Sequence, residues 1–265
     1  MTTDVNDARD WRGGPLDCGA CCHNALRAAG GCKLLQSCVQ DRYARRIDRF
    51  FSWNQPLAND YLDHPYFEVR AVAAKYADVF YLTRLLKDPD ETVRWSAVQR
   101  LPPRCLRELR HDLHREVRIR VAARVDGPDL FEMRTDADYY VRMTVAQRVA
   151  VPILHLMLND PEAGVRRIVA QRIDAGGLVS MASDPDADVR LEVARRLQPQ
   201  QLLWLRRDPD CRVRYEAAGR ISVQHLPAML EDAEPMVREQ AEQRLSALRA
   251  HASAVPIDLH AGGLS

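Results

Sequence analysis

The stretch DPDADVRLEVARRL, residues 184–197, is one copy of a pattern that recurs every 24 residues along most of the chain. A repeat of this length cannot bury its apolar face alone, so neighbouring units must stack and share a continuous core. The sequence therefore predicts a solenoid of eight 24-residue repeats. Its Val-Arg pair returns without a slip at Val69-Arg70, Val93-Arg94, Val117-Arg118, Val141-Arg142, Val165-Arg166, Val189-Arg190, Val213-Arg214 and Val237-Arg238.

Within each repeat the residue types predict one helix and one shorter helical segment. An Asp stands five residues before the Val in seven repeats, often followed by Pro, as in Asp88-Pro89. This pair is typical of an N-cap and the first helical position. Apolar residues at the Val and four, five and eight residues beyond it form one face of a helix of about 13 residues. An apolar pair such as Leu202 and Leu205 closes the repeat in a segment short enough for 3₁₀ geometry, so we expect an all-α fold with two layers of unequal helices.

Arg recurs at two positions, directly after the Val in all eight repeats and seven residues beyond it in seven. Both positions fall within or at the edge of the buried arc of the helix, so these side chains must donate to carboxylates or carbonyls. The repeated Asp offers one carboxylate per repeat, and we interpret the Arg ladder as structural. Two residues after the Val come apolar side chains such as Trp95 and Leu191, which we interpret as core covered by the second layer.

Composition limits the class of protein. The chain has 265 residues, 46% of them hydrophobic, and a formal net charge of +1, which gives no general attraction to nucleic acid or membranes. It has no apolar run long enough to span a bilayer and no signal-peptide pattern in MTTDVNDARDW, so we expect a cytoplasmic protein. We divide it into an N-terminal domain (1–56), a repeat region (57–250) and a C-terminal tail (251–265).

Five of the seven cysteines lie in LDCGACCHNALRAAGGCKLLQSC, residues 16–38. In a reducing compartment such a cluster more often holds a metal than disulfides. Zinc and an iron–sulfur cube both take four thiolates, and the spacing alone does not decide between them. The lack of a second CxxC pair favours a centre other than a zinc ribbon. The five are Cys18, Cys21, Cys22, Cys32 and Cys38.

Other residues of this segment carry weaker expectations. We expect Gly19, Gly30 and Gly31 to let main-chain amides approach inorganic sulfide. His23 is a candidate ligand, but we favour an exposed side chain that does not bind metal. The two remaining cysteines, Cys105 and Cys211, lie inside repeats and are interpreted as packing residues.

The segment VQDRYARRIDRFFSW, residues 39–53, predicts an amphipathic helix. Its apolar face, which includes Tyr43, Ile47 and Phe50, is suited to closing the first repeat. The opposite face can offset the negative charge of a thiolate-ligated cluster, dock an acidic partner or simply face solvent. That face carries Arg42, Arg45, Arg46 and Arg49.

Taken together, the cysteine segment, CVQDRYARRIDRFF (38–51) and the DPDxxVRxxVAxRL repeats resemble the iron–sulfur leucine-rich repeat variant proteins of nitrogen-fixing bacteria, over the whole chain. The resemblance implies a 4Fe-4S cluster in a small N-terminal domain that caps a right-handed α-solenoid of alternating α and 3₁₀ helices. Carried over residue by residue, it implies the ligands Cys18, Cys21, Cys32 and Cys38, with Cys22 as the surplus thiol. It also implies a link to nitrogen fixation.

We therefore expect a non-enzymatic, redox-active or oxygen-responsive cluster protein whose solenoid binds another protein and neither a membrane nor nucleic acid. The alternative is a HEAT-like nucleic-acid-binding solenoid with a structural zinc site. The 24-residue period, shorter than that of HEAT repeats, and the near-neutral charge favour the first hypothesis. An enzyme has no support from a nucleophile triad, a phosphate loop or paired carboxylates.

Overall fold

The computed structural model describes residues 7–254, in two compact units that divide after Val145. Within these residues every regular element is helical and the only β pairing is in isolated bridges. The α-helices are α1 (Asn24–Ala28), α2 (Ala44–Trp53), α3 (Phe67–Tyr76), α4 (Glu91–Arg100), α5 (Arg115–Ala122), α6 (Gly127–Glu132), α7 (Tyr139–Arg148), α8 (Val151–Leu154), α9 (Ala163–Arg172), α10 (Ala175–Ser180), α11 (Ala187–Arg196), α12 (Cys211–Arg220) and α13 (Pro235–Ala254).

Short 3₁₀ helices alternate with the α-helices, as the sequence predicted. They are Gln55–Tyr61, Val79–Lys87, Pro103–Cys105, Arg107–His111, Met133–Thr135, His155–Met157, Met181–Ser183, Gln201–Arg207, Val223–His225 and Pro227–Met229. None of the helices within the described range combines the length and apolar character needed to cross a bilayer. The predicted tail lies mostly outside the described residues, and α13 continues to Ala254, beyond the predicted end of the repeats at residue 250.

The repeat cores are built from the predicted apolar positions. In α11, Val189, Val193 and Ala194 are fully buried and Leu197 just after it is 1% exposed. The closing apolar pairs are buried in the same way, from Leu82 and Leu85 in the first repeat to Leu226 and Met229 in the seventh. Burying a side chain of this size contributes about 1.5 to 3 kcal/mol, so the shared core is the main stabilising term of each unit.

The repeat helices begin two residues later than predicted. Asp90 is the N-cap of α4, because its side chain accepts a hydrogen bond from the Thr92 N–H. Asp88 instead accepts from the Asp90 N–H at 2.9 Å, which makes an Asx turn before the helix. The prediction of Asp88 and its equivalents as N-caps was therefore wrong, and the typical α-helix has 10 residues rather than about 13.

The Arg that follows the Val forms, in the six pairs given below, the ladder that the sequence predicted. Arg190 donates from Nε and Nη2 to both carboxylate oxygens of Asp208 in the next repeat, at 2.7 and 2.9 Å. Its Nη1 also donates to the Asp184 and Pro185 carbonyls before its own helix. The same bidentate pairs are Arg70–Asp88, Arg94–Asp112 and Arg118–Asp136 in the first unit, and Arg166–Asp184, Arg190–Asp208 and Arg214–Asp232 in the second.

The second recurring Arg completes the end of the preceding helix. Arg220 donates to the Ala194 carbonyl at 2.7 Å and to the Leu197 carbonyl at 2.9 Å, at the C-terminal end of α11. These carbonyls have no partner within their own helix, so the guanidinium satisfies them. Arg100, Arg124, Arg172, Arg196 and Arg244 donate in the same way to the ends of the helices before them.

The positions two residues after each Val are less covered than predicted. Ala71 is buried, but Trp95 and Leu191 are only partly buried and Tyr215 is exposed. Trp95 is instead covered on one ring face by the Arg120 guanidinium, 4.1 Å from the ring centroid. The interpretation of these positions as core therefore holds only for Ala71.

The ladder pairs should contribute strongly to stability. We expect Arg190→Ala to lower the free energy of unfolding by about 3 kcal/mol, because it leaves the buried Asp208 carboxylate without its partner. Arg190→Lys should recover only part of this loss, since an ammonium cannot form the bidentate pair. Urea denaturation followed by circular dichroism measures the effect. The exposed Arg207 is the control, and Arg207→Ala should change the free energy by less than about 0.5 kcal/mol. Equal effects of the two alanine variants would contradict a structural ladder.

Candidate metal centre

The first half of the cysteine segment is shaped by α1 and the glycines that end it. Gly30 has a φ of 80°, and its N–H and that of Gly31 donate to the Arg27 and Leu26 carbonyls. This is a Schellman motif, which stops the helix and turns the chain towards Cys32. A Cβ at Gly31 would lie 2.5 Å from the Leu26 side chain, so a larger residue there would displace Leu26.

The glycine amides do not face an open site, contrary to the prediction. The N–H groups of Gly30 and Gly31 are used by the Schellman motif, and the Gly19 N–H donates to the Asp17 carboxylate at 2.7 Å. The three glycines therefore set the path of the chain rather than supply free amides to sulfide.

The second half of the segment is held against α2. Lys33 and Ser37 exchange main-chain hydrogen bonds and close a tight turn between Cys32 and Cys38. Arg49 of α2 donates to the Gln36 carbonyl at 3.2 Å. Asn54, just after α2, donates to the Gly31 carbonyl at 2.8 Å. The helix thus positions both cysteines that flank the turn.

The fold brings all five clustered cysteines into one neighbourhood. Cys18, Cys21, Cys22 and Cys38 line an open cavity of about 280 Å³, together with Asp10 and Asp17 at its edge. The Cys32 thiol has its pKa raised by burial and by the nearby Cys21 and Cys18, which places it beside the same group. Every cysteine of the chain is a free thiol.

Main-chain groups are directed at two of these sulfur atoms. The His23 N–H donates to Cys21 Sγ at 3.4 Å. The main-chain groups of Gln40 and Asp41 favour the Cys38 thiolate, although burial outweighs them and raises the Cys38 pKa to about 11. Cys38 is therefore protonated near neutral pH and would release a proton on binding metal. Hydrogen bonds to the sulfur atoms are typical of iron–sulfur ligands.

The sequence left two kinds of metal centre open, a zinc site and an iron–sulfur cube. Among residues 7–254, no three His, Cys, Asp or Glu side chains converge as a single metal ion requires. A tetrahedral zinc site needs four thiolates on one ion, whereas an iron–sulfur cube distributes them over four irons. Four thiols around one cavity, with Cys32 beside them, supply enough ligands for either centre. The assignment of Cys18, Cys21, Cys32 and Cys38 as the ligands stays a prediction.

His23 is not the exposed side chain that the sequence suggested. It is partly buried, its Nε2 is hydrogen-bonded to the Tyr61 hydroxyl, and its ring lies 5.2 Å from that of Phe50. Burial lowers the pKa of His23 and favours the neutral ring. Tyr61 also contacts the Cys22 thiol, so it joins the cysteine segment to the 3₁₀ helix before the first repeat. Sequence reasoning missed Tyr61, since a single aromatic residue gives no signal of such a contact.

The basic face of α2 differs from the prediction. The helix begins at Ala44, so Arg42 precedes it, and Arg46 is buried in an ion pair with the fully buried Asp41 at 2.8 Å. The charge of Arg46 is therefore neutralised within the domain. Only Arg45 and Arg49 of the predicted face are exposed.

The opposite face of α2 agrees with the predicted cap. Ile47, Phe50 and Phe51 are buried, and the Phe51 ring lies 5.5 Å from Tyr61 and 6.3 Å from Tyr76 of the first repeat. Trp11, which the sequence did not single out, stacks on Tyr66 at the N-cap of α3, with 5.6 Å between ring centroids. The N-terminal domain thus covers the first repeat with aromatic side chains.

The two cysteines outside the cluster are not core residues. Cys105 is partly buried and Cys211 is exposed at the start of α12. The prediction that they are packing residues was wrong for Cys211, because the first position of a repeat helix faces outward here.

Comparisons with known proteins found similarities to both the cysteine-bearing domain and the chain as a whole. Residues 8–60 match a family model described as the LRV protein FeS4 cluster. A Rhodobacter capsulatus protein, described as an uncharacterized 27.7 kDa protein in the nifB 3′ region, is 55% identical over 93 residues. That alignment covers 35% of this chain and 38% of the Rhodobacter protein, so the chain spans well under half of this relative.

A solved structure, described as a leucine-rich repeat variant with a novel repetitive protein structural motif, is 40% identical to this chain. The match covers 87% of this chain and 99% of the other, with a TM-score of 0.84. These similarities confirm the predicted helical repeat fold and the iron–sulfur domain at its N-terminus.

The ligand assignment can be tested one cysteine at a time. We expect Cys18→Ser, Cys32→Ser and Cys38→Ser each to lose the iron–sulfur cluster, because a hydroxyl is a poor replacement for a thiolate ligand. Cys22→Ser is the matched control and should keep it. Iron and sulfide analysis of anaerobically purified protein measures the result. If Cys22→Ser loses the cluster while Cys21→Ser retains it, Cys22 is the ligand and the assignment is wrong.

Proposed function

Because the chain belongs to the iron–sulfur leucine-rich repeat variant family, we propose that it is a non-enzymatic 4Fe-4S protein of the cytoplasm whose repeats bind another protein. Cys18, Cys21, Cys32 and Cys38 hold the cluster, which supplies one-electron transfer when bound. The observation that carries the proposal is the gathering of four free thiols around one cavity, with the free thiol of Cys32 beside them. The His23 N–H directed at the Cys21 sulfur supports a role for Cys21 as a ligand.

Direct contacts between the cysteine segment and the first repeat support an oxygen-responsive role. His23 and Cys22 both contact Tyr61, whose ring packs against Phe51, and Phe51 packs in turn on Tyr76 of α3. A change in the cysteine segment is therefore coupled to the aromatic contacts that cover the first repeat. Loss of the cluster loosens this cap, and the first repeats respond.

A link to nitrogen fixation is part of the proposal and rests on the Rhodobacter relative described by its position beside nifB. It concerns the setting in which the protein works rather than a reaction. Under this proposal the cluster serves electron transfer or oxygen sensing in cells that fix nitrogen.

The nucleic-acid alternative is disfavoured by the partners of the Arg side chains. Six ladder guanidinium groups are paired with Asp carboxylates, and the second Arg position donates to helix-end carbonyls. These donors are therefore already used and do not form a phosphate-binding stripe, which needs free Lys or Arg.

Anaerobic purification tests the cofactor directly. We expect brown protein with broad absorption at ~400 nm and about four irons and four sulfides per chain, as four thiolates around a cube require. Reduction by dithionite should bleach this absorption with the uptake of one electron. Colourless protein with one zinc per chain would refute the cluster and favour a structural zinc site.

Hydrogen exchange tests the coupling between cluster and repeats. We expect removal of the cluster to lower protection in α3 and α4 and to leave α11 and α12 unchanged, because the cap packs on α3 and α3 packs in turn on α4. Tyr61→Phe keeps the ring but removes the hydroxyl that contacts His23 and Cys22, so in this variant the response of α3 should shrink. If protection is the same with and without the cluster, the cap does not couple the cluster to the first repeats.

A further inference from the structure

The exposed face of α2 carries cations and one large aromatic residue in a row. Arg45, Arg49 and Trp53 are spaced four residues apart, which places them above one another on the same side of the helix. All three are exposed, and Trp53 has 48% of its surface open to solvent. This face lies opposite the buried Ile47 and Phe51 and is not used in covering the first repeat.

The turn between Cys32 and Cys38 lies beside this row. Arg49 donates to the Gln36 carbonyl, so the tip of the turn rests against α2. Leu34 and Leu35 at the tip are each 37% exposed, and Leu35 has a φ of 63°, in a region that bulky residues rarely occupy. The turn thus keeps the Leu34 and Leu35 side chains exposed to solvent rather than packed in a core. Lys33 of the same turn is also exposed.

The surface formed by Lys33, Leu34, Leu35, Arg45, Arg49 and Trp53, here called the cluster-side patch, contains three cations and no acid. Within residues 7–254 no carboxylate forms an ion pair with its three cations. The two acids nearest in sequence on this segment are used elsewhere: Asp41 pairs with the buried Arg46, and Asp48 pairs with Lys75 at 3.0 Å.

We propose that the cluster-side patch docks an acidic electron-carrier protein that exchanges electrons with the iron–sulfur cluster. The inference rests on the proposed redox function and adds the class of partner and its place of contact. Charge complementarity argues for an acidic partner, and the exposed leucines and Trp53 give the apolar centre that interfaces share.

The position of the patch argues for an electron carrier. Its turn begins and ends at two predicted ligands, Cys32 and Cys38, so a partner on the turn is joined to the cluster through the covalent bonds of these two residues. A patch of six residues suits the small, transient interfaces of electron-transfer proteins. One electron passes and one partner is oxidised as the other is reduced. No bond or proton changes on this chain.

Stopped-flow kinetics with two carriers of opposite charge tests the proposal. The holoprotein, reduced with dithionite, is mixed with cupric plastocyanin, an acidic one-electron acceptor, or with ferricytochrome c, a basic one. We expect Arg45→Glu/Arg49→Glu to slow electron transfer to plastocyanin about tenfold at low ionic strength and to speed transfer to cytochrome c. The plastocyanin rate of the unmodified protein should fall as salt is raised.

The matched control is Arg104→Glu/Arg207→Glu, which changes the net charge equally at two exposed arginines outside the patch. It should alter both rates less than about twofold, since local rather than overall charge sets the docking. Arg49 also contacts Gln36, so Lys33→Glu/Arg45→Glu repeats the test without touching that hydrogen bond. The absorption of the cluster checks that each variant is intact.

The outcomes separate the two proposals. A cluster that dithionite does not reduce refutes the redox function, and the docking proposal falls with it. A reducible cluster with equal rates in the patch and control variants refutes the docking site alone. Binding to phosphatidylserine vesicles that is lost in Arg45→Glu/Arg49→Glu would assign the patch to a lipid surface and also overturn the proposal.

Discussion

The bidentate ion pair between an Arg of one repeat and an Asp of the next constrains the spacing of the repeats. Arg190 and Asp208 are 8% and 6% exposed, so both charges are largely removed from water. Such a buried ion pair is tolerated only when its geometry is good and the remaining donors are satisfied. Here the Asp184 and Pro185 carbonyls accept hydrogen bonds from Nη1 of Arg190. The partners are always 18 residues apart, and an insertion between them would strand a buried charge. The strict 24-residue period follows from this constraint as well as from apolar packing.

The same interaction explains which parts of the repeat fold could be predicted from the sequence. The period, the buried positions around Val189 and the 3₁₀ layer follow from spacing alone, because every repeat presents the same apolar face. The helix start did not follow, because an Asp-Pro pair is typical of both an N-cap and an Asx turn. Asp88 is needed as the acceptor for Arg70, and that partner is visible only in the folded array. The N-cap therefore moves to Asp90.

The cysteine segment was predictable in its chemistry but not in its construction. Five thiols within 21 residues indicate a metal centre whatever their contacts, whereas the roles of the side chains around them depend on distant parts of the chain. Asn54 reaches back 23 residues to hold Gly31, and Tyr61 reaches back 38 to His23. Arg46 looks like part of an exposed basic face until Asp41 is found buried beneath it. Such pairings come from tertiary structure, which helical periodicity does not contain.

The first position of the ladder, residue 64, shows how the repeat region is adapted to the N-terminal domain. The position that holds Asp in the later repeats is His64 in the first, where no preceding repeat supplies an Arg. Arg46 stands 18 residues before it but forms its ion pair with Asp41 inside the cap. A carboxylate at residue 64 would therefore be partly buried without the ladder partner. The imidazole avoids this cost, because burial lowers the pKa of His64 and favours the neutral ring.

His64 also performs the local part of the role that Asp has elsewhere. Its Nδ1 accepts from the Tyr66 N–H at 3.1 Å, as each ladder Asp accepts from the amide two residues on. Its ring then packs against Trp11 of the N-terminal domain and Tyr61 of the 3₁₀ helix before the first repeat, in place of a guanidinium. At residue 64, where the repeats meet the cysteine-bearing domain, aromatic contacts thus take the place of the ion pair found in later repeats. Aromatic packing of this kind carries no fixed charge, so the neutral ring of His64 needs no guanidinium partner where the ladder begins.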